Sequence, residues 1–319
     1  MVGTHGTLLH YYEKGEPVPD ADTVLALPPS KTGRRALISK RTLELTTALR
    51  QRGVKLTLVS GVRYSTFVDR LPYLPHADAY CIENGGRIFY PTAAPSPPPD
   101  GSTYHTAPPE HCLQEDLKWR EGLESVCGKA SENDPLDAER RAGPVWDLCR
   151  ALRAEGWTVD TATYNTMLRI NAGEGDGEAR LLRRMASLPP SFLIATNFGL
   201  VDVMPRASGK LHVARYLAAA HFKFEVPDLG GCAAMGDDDN DIEMLSAAGR
   251  GAFVTGFSSR SIEAAARAAP RQFRVAAASG VAAAEECLEA ILSLGGEGVM
   301  SDDGAARKGA LKAELLQVA

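Results

Sequence analysis

The sequence has no apolar run approaching the ~18–20 residues needed to span a bilayer, so no transmembrane helix is read from it. A basic amphipathic helix that would lie on a membrane surface is also missing. Basic residues do not dominate: 35 Lys and Arg stand against 40 Asp and Glu, for a net charge of −5. The chain therefore lacks the global basic footprint of a nucleic-acid binder. Its six cysteines, Cys81, Cys112, Cys127, Cys149, Cys232 and Cys287, form no C-x-x-C pair and no Cys/His spacing that fits zinc. Cys81 and Cys232 sit inside apolar, strand-like runs and read as small buried hydrophobes. A reducing compartment follows as the simplest setting. No G-x-G-x-x-G follows a strand-like run, which argues against a dinucleotide-binding protein. The N-terminus shows neither an apolar targeting core nor an Arg/Ser-rich, acid-poor stretch. A cytoplasmic location is expected, with no nucleic-acid and no membrane partner; a plastid stays open if an N-terminal segment is missing. What remains is a chain of 319 residues, 44% apolar and 24% charged, ordinary for a globular protein and long enough for two domains.

Turn residues punctuate the first 35 positions and exclude a long element there. Ser39 then reads as an N-cap, Leu45, Ala48, Leu49 and Arg52 follow at helical spacing, and Gly53 supplies the stop. "VKLTLV" (54–59) is a β-branched strand ending at Ser60-Gly61. A helix over about 63–71 follows, then the short buried strand "AYCIE" (79–83), which ends in Asn84-Gly85-Gly86. The Pro-dense 90–102 marks a loop or linker. Residues from about 110 to 205 mix helical and strand-like pieces and read as an inserted second unit. A helix is predicted over 209–222. "GGCAAMG" reads as a small-residue strand, "DIEMLSAAG" as a helix, "GAFVTG" as a strand and "GVAAAEECLEAILSL" as a closing helix. Short apolar strands alternating with helices imply an α/β fold with a parallel sheet covered on both faces. In such sheets chemistry sits at the carboxyl ends of the strands, where Ser60, Asn84 and Asp237 fall.

The strongest chemical signal is Gly236-Asp237-Asp238-Asp239-Asn240-Asp241. Four carboxylates in five positions repel one another unless a hard cation offsets them, and Mg²⁺ typically takes one or two protein carboxylates. A helix N-terminus alone favours one or two acids through its dipole; it does not account for four placed directly after a buried strand. Lys210, at the helix start Ser208-Gly209-Lys210, is a cation suited to clamping a phosphate, although a lone lysine there is ordinarily a solvated one. Ser60-Gly61 offers a hydroxyl and backbone N–H groups at a strand-to-helix turn, a common anion cradle and equally a common turn. The order of the set is what informs: Ser60, then Lys210, then Asp237 and Asp241, with a large insertion between the first two.

These pieces resemble the haloacid dehalogenase superfamily, specifically phosphatases with a large type IIB cap of the sucrose-phosphate-phosphatase kind. The resemblance rests on "LISKRTLELTTALRQRGVKLTLVSGVR", "AYCIENGGRIF", "VDVMPRASGKLHVARYLA", "CAAMGDDDNDIEMLSAAG" and "SGVAAAEECLEAIL". It implies a Rossmannoid parallel-sheet core over 1–86 and 206–295, an inserted α+β cap over 87–205 and a flexible tail over 296–319. It further implies that Ser60 and Gly61 bind the transferring phosphoryl group and that Lys210 neutralises its charge. Asp237 and Asp241 would hold Mg²⁺, with Asn240 orienting that shell and binding phosphate. Arg63, Asn84 and Gly85 would lie at the mouth of the site. The cap would set specificity for a small phosphorylated metabolite, plausibly a sugar phosphate, with Arg169 among its candidate contacts.

One motif departs from the pattern. The family's first motif is D-x-D-G-T after an apolar strand, its first Asp the nucleophile and its second the general acid/base. The best register here is Gly3-Thr4-His5-Gly6-Thr7-Leu8-Leu9, with Gly3 and His5 in the two acidic positions and only Met1 and Val2 before them. A second D-x-D, Asp20-Ala21-Asp22, follows prolines and reads as a solvated turn. Two expectations follow: a phosphatase whose N-terminal strand is missing from this chain, which the intact remaining motifs favour, or a non-catalytic pseudophosphatase that binds phosphate or a metabolite. In either case, loss of a covalent nucleophile costs about a million-fold in rate.

Overall fold

A computed structural model describes residues 7–11, 19–31, 33–95, 103–173, 175–197, 200–224, 228–294 and 315–318. The turn-rich start carries a small antiparallel sheet, order β1-β3-β2, made of β1 (His10–Tyr11), β2 (Val24–Leu27) and β3 (Ala36–Ser39). Just before β2, the Asp20 carboxylate accepts the Asp22 N–H at 3.0 Å in an exposed turn, so the second D-x-D belongs to solvent. Ser39 caps the helix Lys40–Gln51 by accepting the Thr42 N–H, and Gly53, at φ +85°, ends that stretch in the left-handed region where a side chain would be strained.

The large sheet begins with β4 (Lys55–Val59), β5 (Ala79–Ile82), β6 (Arg87–Pro91) and β7 (Leu113–Glu115). A second unit follows with β8 (Thr158–Asp160), β9 (Leu168–Asn171), β10 (Phe192–Asn197) and β11 (Leu200–Pro205). The chain then returns to the large sheet with β12 (Ala233–Gly236), β13 (Gly251–Val254), β14 (Phe273–Val275) and β15 (Leu315–Val318). The large sheet has the order β14-β13-β12-β15-β4-β5-β6-β7, parallel from β14 through β5 and antiparallel beyond.

Side chains of a strand alternate between faces, and both faces here are buried. Leu56, Leu58, Tyr80, Ile82, Met235 and Phe253 join one cluster, with Leu43, Leu45 and Leu49 of the first helix and Leu288 and Ile291 of the helix Val281–Leu294. Val59, Ala79, Cys81, Ala234, Ala252 and Val254 join the other, with Val213 and Leu217 and with Met244 and Leu245. The result is the expected α/β core, a largely parallel sheet between two helical layers.

Two boundaries differ from the sequence reading. Residues 87–115, expected in the inserted unit 87–205, supply β6 and β7 to the core sheet, because the Asn84-Gly85-Gly86 turn reverses the chain onto β5. Residues 315–318, expected within a flexible tail, form β15 between β4 and β12. An inner parallel strand has neighbours on both sides, and without one their facing N–H and C=O groups would be left unpaired.

The inserted unit is a four-stranded antiparallel sheet, order β10-β11-β9-β8. The helices Pro144–Ala154 and Gly177–Met185 share its apolar cluster, with Trp146 fully buried and its indole N–H on the Cys127 carbonyl at 2.9 Å. All six cysteines are free and five are buried, as small apolar residues would be.

Candidate active site

The expected core-site residues on the described chain lie at the carboxyl ends of core strands or at the helix starts beside them, whereas Arg169 lies on β9 of the inserted unit. β4 runs into Ser60, which is 3% exposed and whose hydroxyl accepts the Val62 N–H at 3.1 Å. The Asn84 N–H donates to the Ser60 carbonyl at 2.8 Å, which ties the two turns together. The turn after β5 is conformationally costly. Glu83 and Asn84 both have φ near +55°, uncommon for residues with side chains, and Gly85 has φ +91°. A Cβ on Gly85 would meet the Val213 side chain at 2.9 Å and the Gly209 carbonyl at 3.1 Å, so the turn packs directly on the start of the Lys210 helix.

The acidic loop follows β12. Asp241 accepts the N–H groups of Asp237 and Asp238, each at 3.3 Å, and folds the loop back on itself. Gly236 makes that possible, since a Cβ there would lie 2.6 Å from Asp241 Cβ. Lys210 Nζ donates to Asp241 Oδ1 at 2.5 Å, and both side chains are buried. Asp237, 1% exposed, accepts hydroxyl hydrogen bonds from Thr7 on Oδ1 and from Ser258 on Oδ2. Burial, and then the neighbouring Asp241 carboxylate, push the Asp237 pKa up to about 7. Thr7 belongs to the retained Gly6-Thr7-Leu8-Leu9 stretch, whose Leu8 and Leu9 are in the core. Gly3 and His5 lie outside the described residues.

The inserted unit closes over these turns through a continuous polar chain. Asn240 Nδ2 donates to Asn84 Oδ1 at 3.1 Å, and Asn84 Nδ2 donates to Asp202 Oδ2 at 2.9 Å. Asp202, on β11 and fully buried, also accepts from Arg169 Nε and Nη2, both at 2.6 Å. Arg169 Nη2 reaches the Gly61 carbonyl at 3.3 Å, and its guanidinium lies over the Tyr164 ring at 5.6 Å. Arg63 pairs with Asp160 and donates to the Ala162 carbonyl at 3.1 Å, so it is bound to the inserted unit rather than free at the mouth. Glu83 Oε2 accepts three hydrogen bonds, from Asn165 N, Thr166 N and Thr166 Oγ1 at 2.9, 2.7 and 2.7 Å. Asp239 accepts from Thr196 Oγ1 on β10 at 3.1 Å.

Between the two units lies a cavity of about 250 Å³, lined by Asn84, Leu193, Met204, Lys210, Asp239 and Asn240, among others. Hydrogen bonds thus join Ser60, Asn84 and Asn240 in one set and Lys210, Asp237 and Asp241 in another, and the two sets meet in the loop where Asn240 precedes Asp241. Sequence reading missed Thr7 as a partner of Asp237, along with Ser258, Glu83, Tyr164 and Asp202. Only Glu83 and Thr7 carried a signal, by adjacency to motifs already read.

The fold, a largely parallel core sheet with an inserted unit, is similar to that of a solved phosphatase, and part of the chain matches a known family. Residues 160–284 match the family described as haloacid dehalogenase-like hydrolase, a stretch that includes Lys210 and the acidic loop. Among solved structures, the sucrose-phosphatase of Synechocystis sp. PCC6803, in complex with sucrose and phosphate, aligns at a TM-score of 0.55. Identity to it is 15%, with 81% of this chain and 93% of that chain covered. A haloacid dehalogenase-like hydrolase from Bacteroides thetaiotaomicron aligns at a TM-score of 0.47 and 14% identity, covering 80% and 92%. No curated protein matches the chain by sequence. Among the described residues, no helix is long and apolar enough to cross a membrane.

Proposed function

We propose that the chain is built as a Mg²⁺-dependent phosphatase of a small phosphorylated metabolite, with a sugar phosphate the first class to test. The observation that carries this reading is that Ser60, by way of Asn84, and Lys210, by its bond to Asp241, both converge on the Asp237–Asp241 loop. In it, Ser60 and the Gly61 turn would position the phosphoryl oxygens, and Lys210 would offset their charge. Phosphoryl transfer depends chiefly on such positioning and charge stabilisation.

The two buried carboxylates fit a magnesium ion in chemistry. Asp241 disfavours ionisation of Asp237, so the loop has a surplus of negative charge once both are ionised. Magnesium is commonly held by one or two carboxylates plus substrate phosphate. Among the described residues no group of three or more His, Cys, Asp and Glu forms a fuller cage. Asp237 and Asp241 would hold the ion, directly or through water, and Asn240 would steady the loop. When bound, the ion would supply charge neutralisation at the phosphoryl oxygens.

The register Gly3-x-His5 provides no nucleophilic carboxylate, which favours a second reading: this chain binds a phosphorylated ligand and turns it over at most very slowly. Mg²⁺-dependent hydrolysis of an aryl phosphate, with Asp237→Asn as the control, decides between them. No turnover by a folded chain that still binds Mg²⁺ and phosphate supports the binding reading. Turnover that the control abolishes supports catalysis by a nucleophile other than residue 3. Failure to bind either ion removes both.

A further inference from the structure

A second cleft lies at the opposite, amino-terminal end of the core strands. Its volume is about 430 Å³, and its lining includes Arg50, Lys55, His76, Asp78, Tyr90 and His221. Lys55 opens β4, and Asp78 directly precedes β5, whereas Ser60 and the Asn84 turn lie at the other ends of these strands. It is therefore distinct from the candidate active site.

The floor of this cleft is basic. Arg50 donates to Asp78 through Nε and Nη2 at 3.2 and 3.3 Å, and Lys55 donates to the same carboxylate at 3.3 Å. Asp78 is also anchored by the Leu56 N–H at 2.9 Å. One carboxylate thus holds two cations in place and leaves a net positive charge, in a chain whose overall charge is −5. His76 adds an imidazole that is 5% exposed, with Nδ1 buried and without a hydrogen-bond partner among the described residues. A buried polar nitrogen left unpaired is a standing cost.

The wall is aromatic. Tyr90 and His221 stack with centroids 4.0 Å apart and planes 8° apart, and Phe222 meets His221 edge-on at 4.8 Å. His221 is nevertheless exposed. It stacks on Tyr90 from a π-helical turn over Leu217–His221 that ends the helix begun at Lys210, where the sequence predicts an uninterrupted helix over 209–222. Such turns are rare and recur at functional sites.

We propose that this cleft is a second binding site, for a small anion carrying a planar ring, of which a nucleoside monophosphate is the representative. The anion would lie against Arg50 and Lys55, and the ring against the Tyr90–His221 stack. Cationic floors recognise phosphate through charge-assisted hydrogen bonds, and a base gains affinity by stacking on an aromatic group.

The test is calorimetric titration of the full chain with adenosine 5′-monophosphate, adenosine and inorganic phosphate. A Lys210→Ala background removes phosphate affinity of the candidate active site. The expected result is saturable binding of the monophosphate in that background, weaker for adenosine and for phosphate alone. Exposed His221→Ala should weaken it by about tenfold, and Arg50→Gln by a similar factor. The pair of variants keeps the proposal testable if Arg50→Gln alone impairs folding. Three results would overturn it: no binding at millimolar ligand, binding that His221→Ala leaves unchanged, or binding that is lost in the Lys210→Ala background. The last would place the nucleotide in the other cavity and leave the phosphatase reading standing.

Discussion

Asp202 shows how much of the site depends on single residues remote from the motifs. It is a fully buried carboxylate whose charge is balanced by one guanidinium and which also accepts a hydrogen bond from one amide. Asp202→Ala leaves Arg169 in a largely dry setting without its partner. Removing one member of a buried pair typically costs about 3–5 kcal/mol, so urea denaturation should show a loss of that order. Asp237 behaves in the opposite sense. Its charge is disfavoured by burial and by Asp241, so Asp237→Asn should not lower the melting temperature in the absence of metal while weakening Mg²⁺ binding by at least about tenfold. Unchanged Mg²⁺ affinity in a titration would remove the metal assignment. His76 gives the residue scale its pH signature. Burial lowers its pKa from 6.5 to about 4. The unfolded chain therefore binds this proton first as pH falls, and the neutral folded form loses stability between about pH 6.5 and 4. The melting temperature should decline across that window, with a shallower decline in His76→Gln.

At the scale of elements, the acidic loop depends on a glycine as much as on its acids. Gly236→Ala puts a methyl group within 2.6 Å of Asp241. It should abolish Mg²⁺ binding while far-ultraviolet circular dichroism stays native, since β12 itself can hold alanine. Which elements were legible in the sequence follows from the range of the forces that set them. Ser39, Gly53 and the apolar spacing of Leu45 and Leu49 act within a few residues, and the helix Lys40–Gln51 is where they place it. The sequence places the residues of β6 and β7 in the inserted unit, because their pairing is decided by partners across the sheet. The π-helical turn was invisible for the same reason, being tied to Tyr90 from another part of the chain. In the site, Ser60, Lys210, Asp237 and Asp241 carried a local pattern. Asp202, Tyr164 and Ser258 carried none, because each acts through a partner tens to hundreds of positions away.

For the whole molecule, the core sheet is continuous among the described residues through β15, which pairs with β4 on one side and β12 on the other. Deleting residues 315–319 strips both ladders, and each buried backbone group left unpaired costs about 1–3 kcal/mol. A markedly lower melting temperature is expected, and an unchanged one would mean that β15 contributes nothing to the fold. The same strand bears on catalysis. If the proposed function holds, Gly3→Asp with His5→Asp should add little turnover in an aryl phosphate assay, because β15 already takes the place between β4 and β12. The central claim is that Ser60, Lys210 and the Asp237–Asp241 loop form one site for Mg²⁺ and phosphate together. The most direct test is calorimetric titration of Mg²⁺ into the full chain with and without inorganic phosphate, repeated in Asp237→Asn. Two ligands sharing a site of opposite charges should each tighten the other reciprocally, so phosphate should raise Mg²⁺ affinity, and the variant should lose the effect. Mg²⁺ binding that ignores both phosphate and Asp237, or no binding by a folded chain, would contradict it.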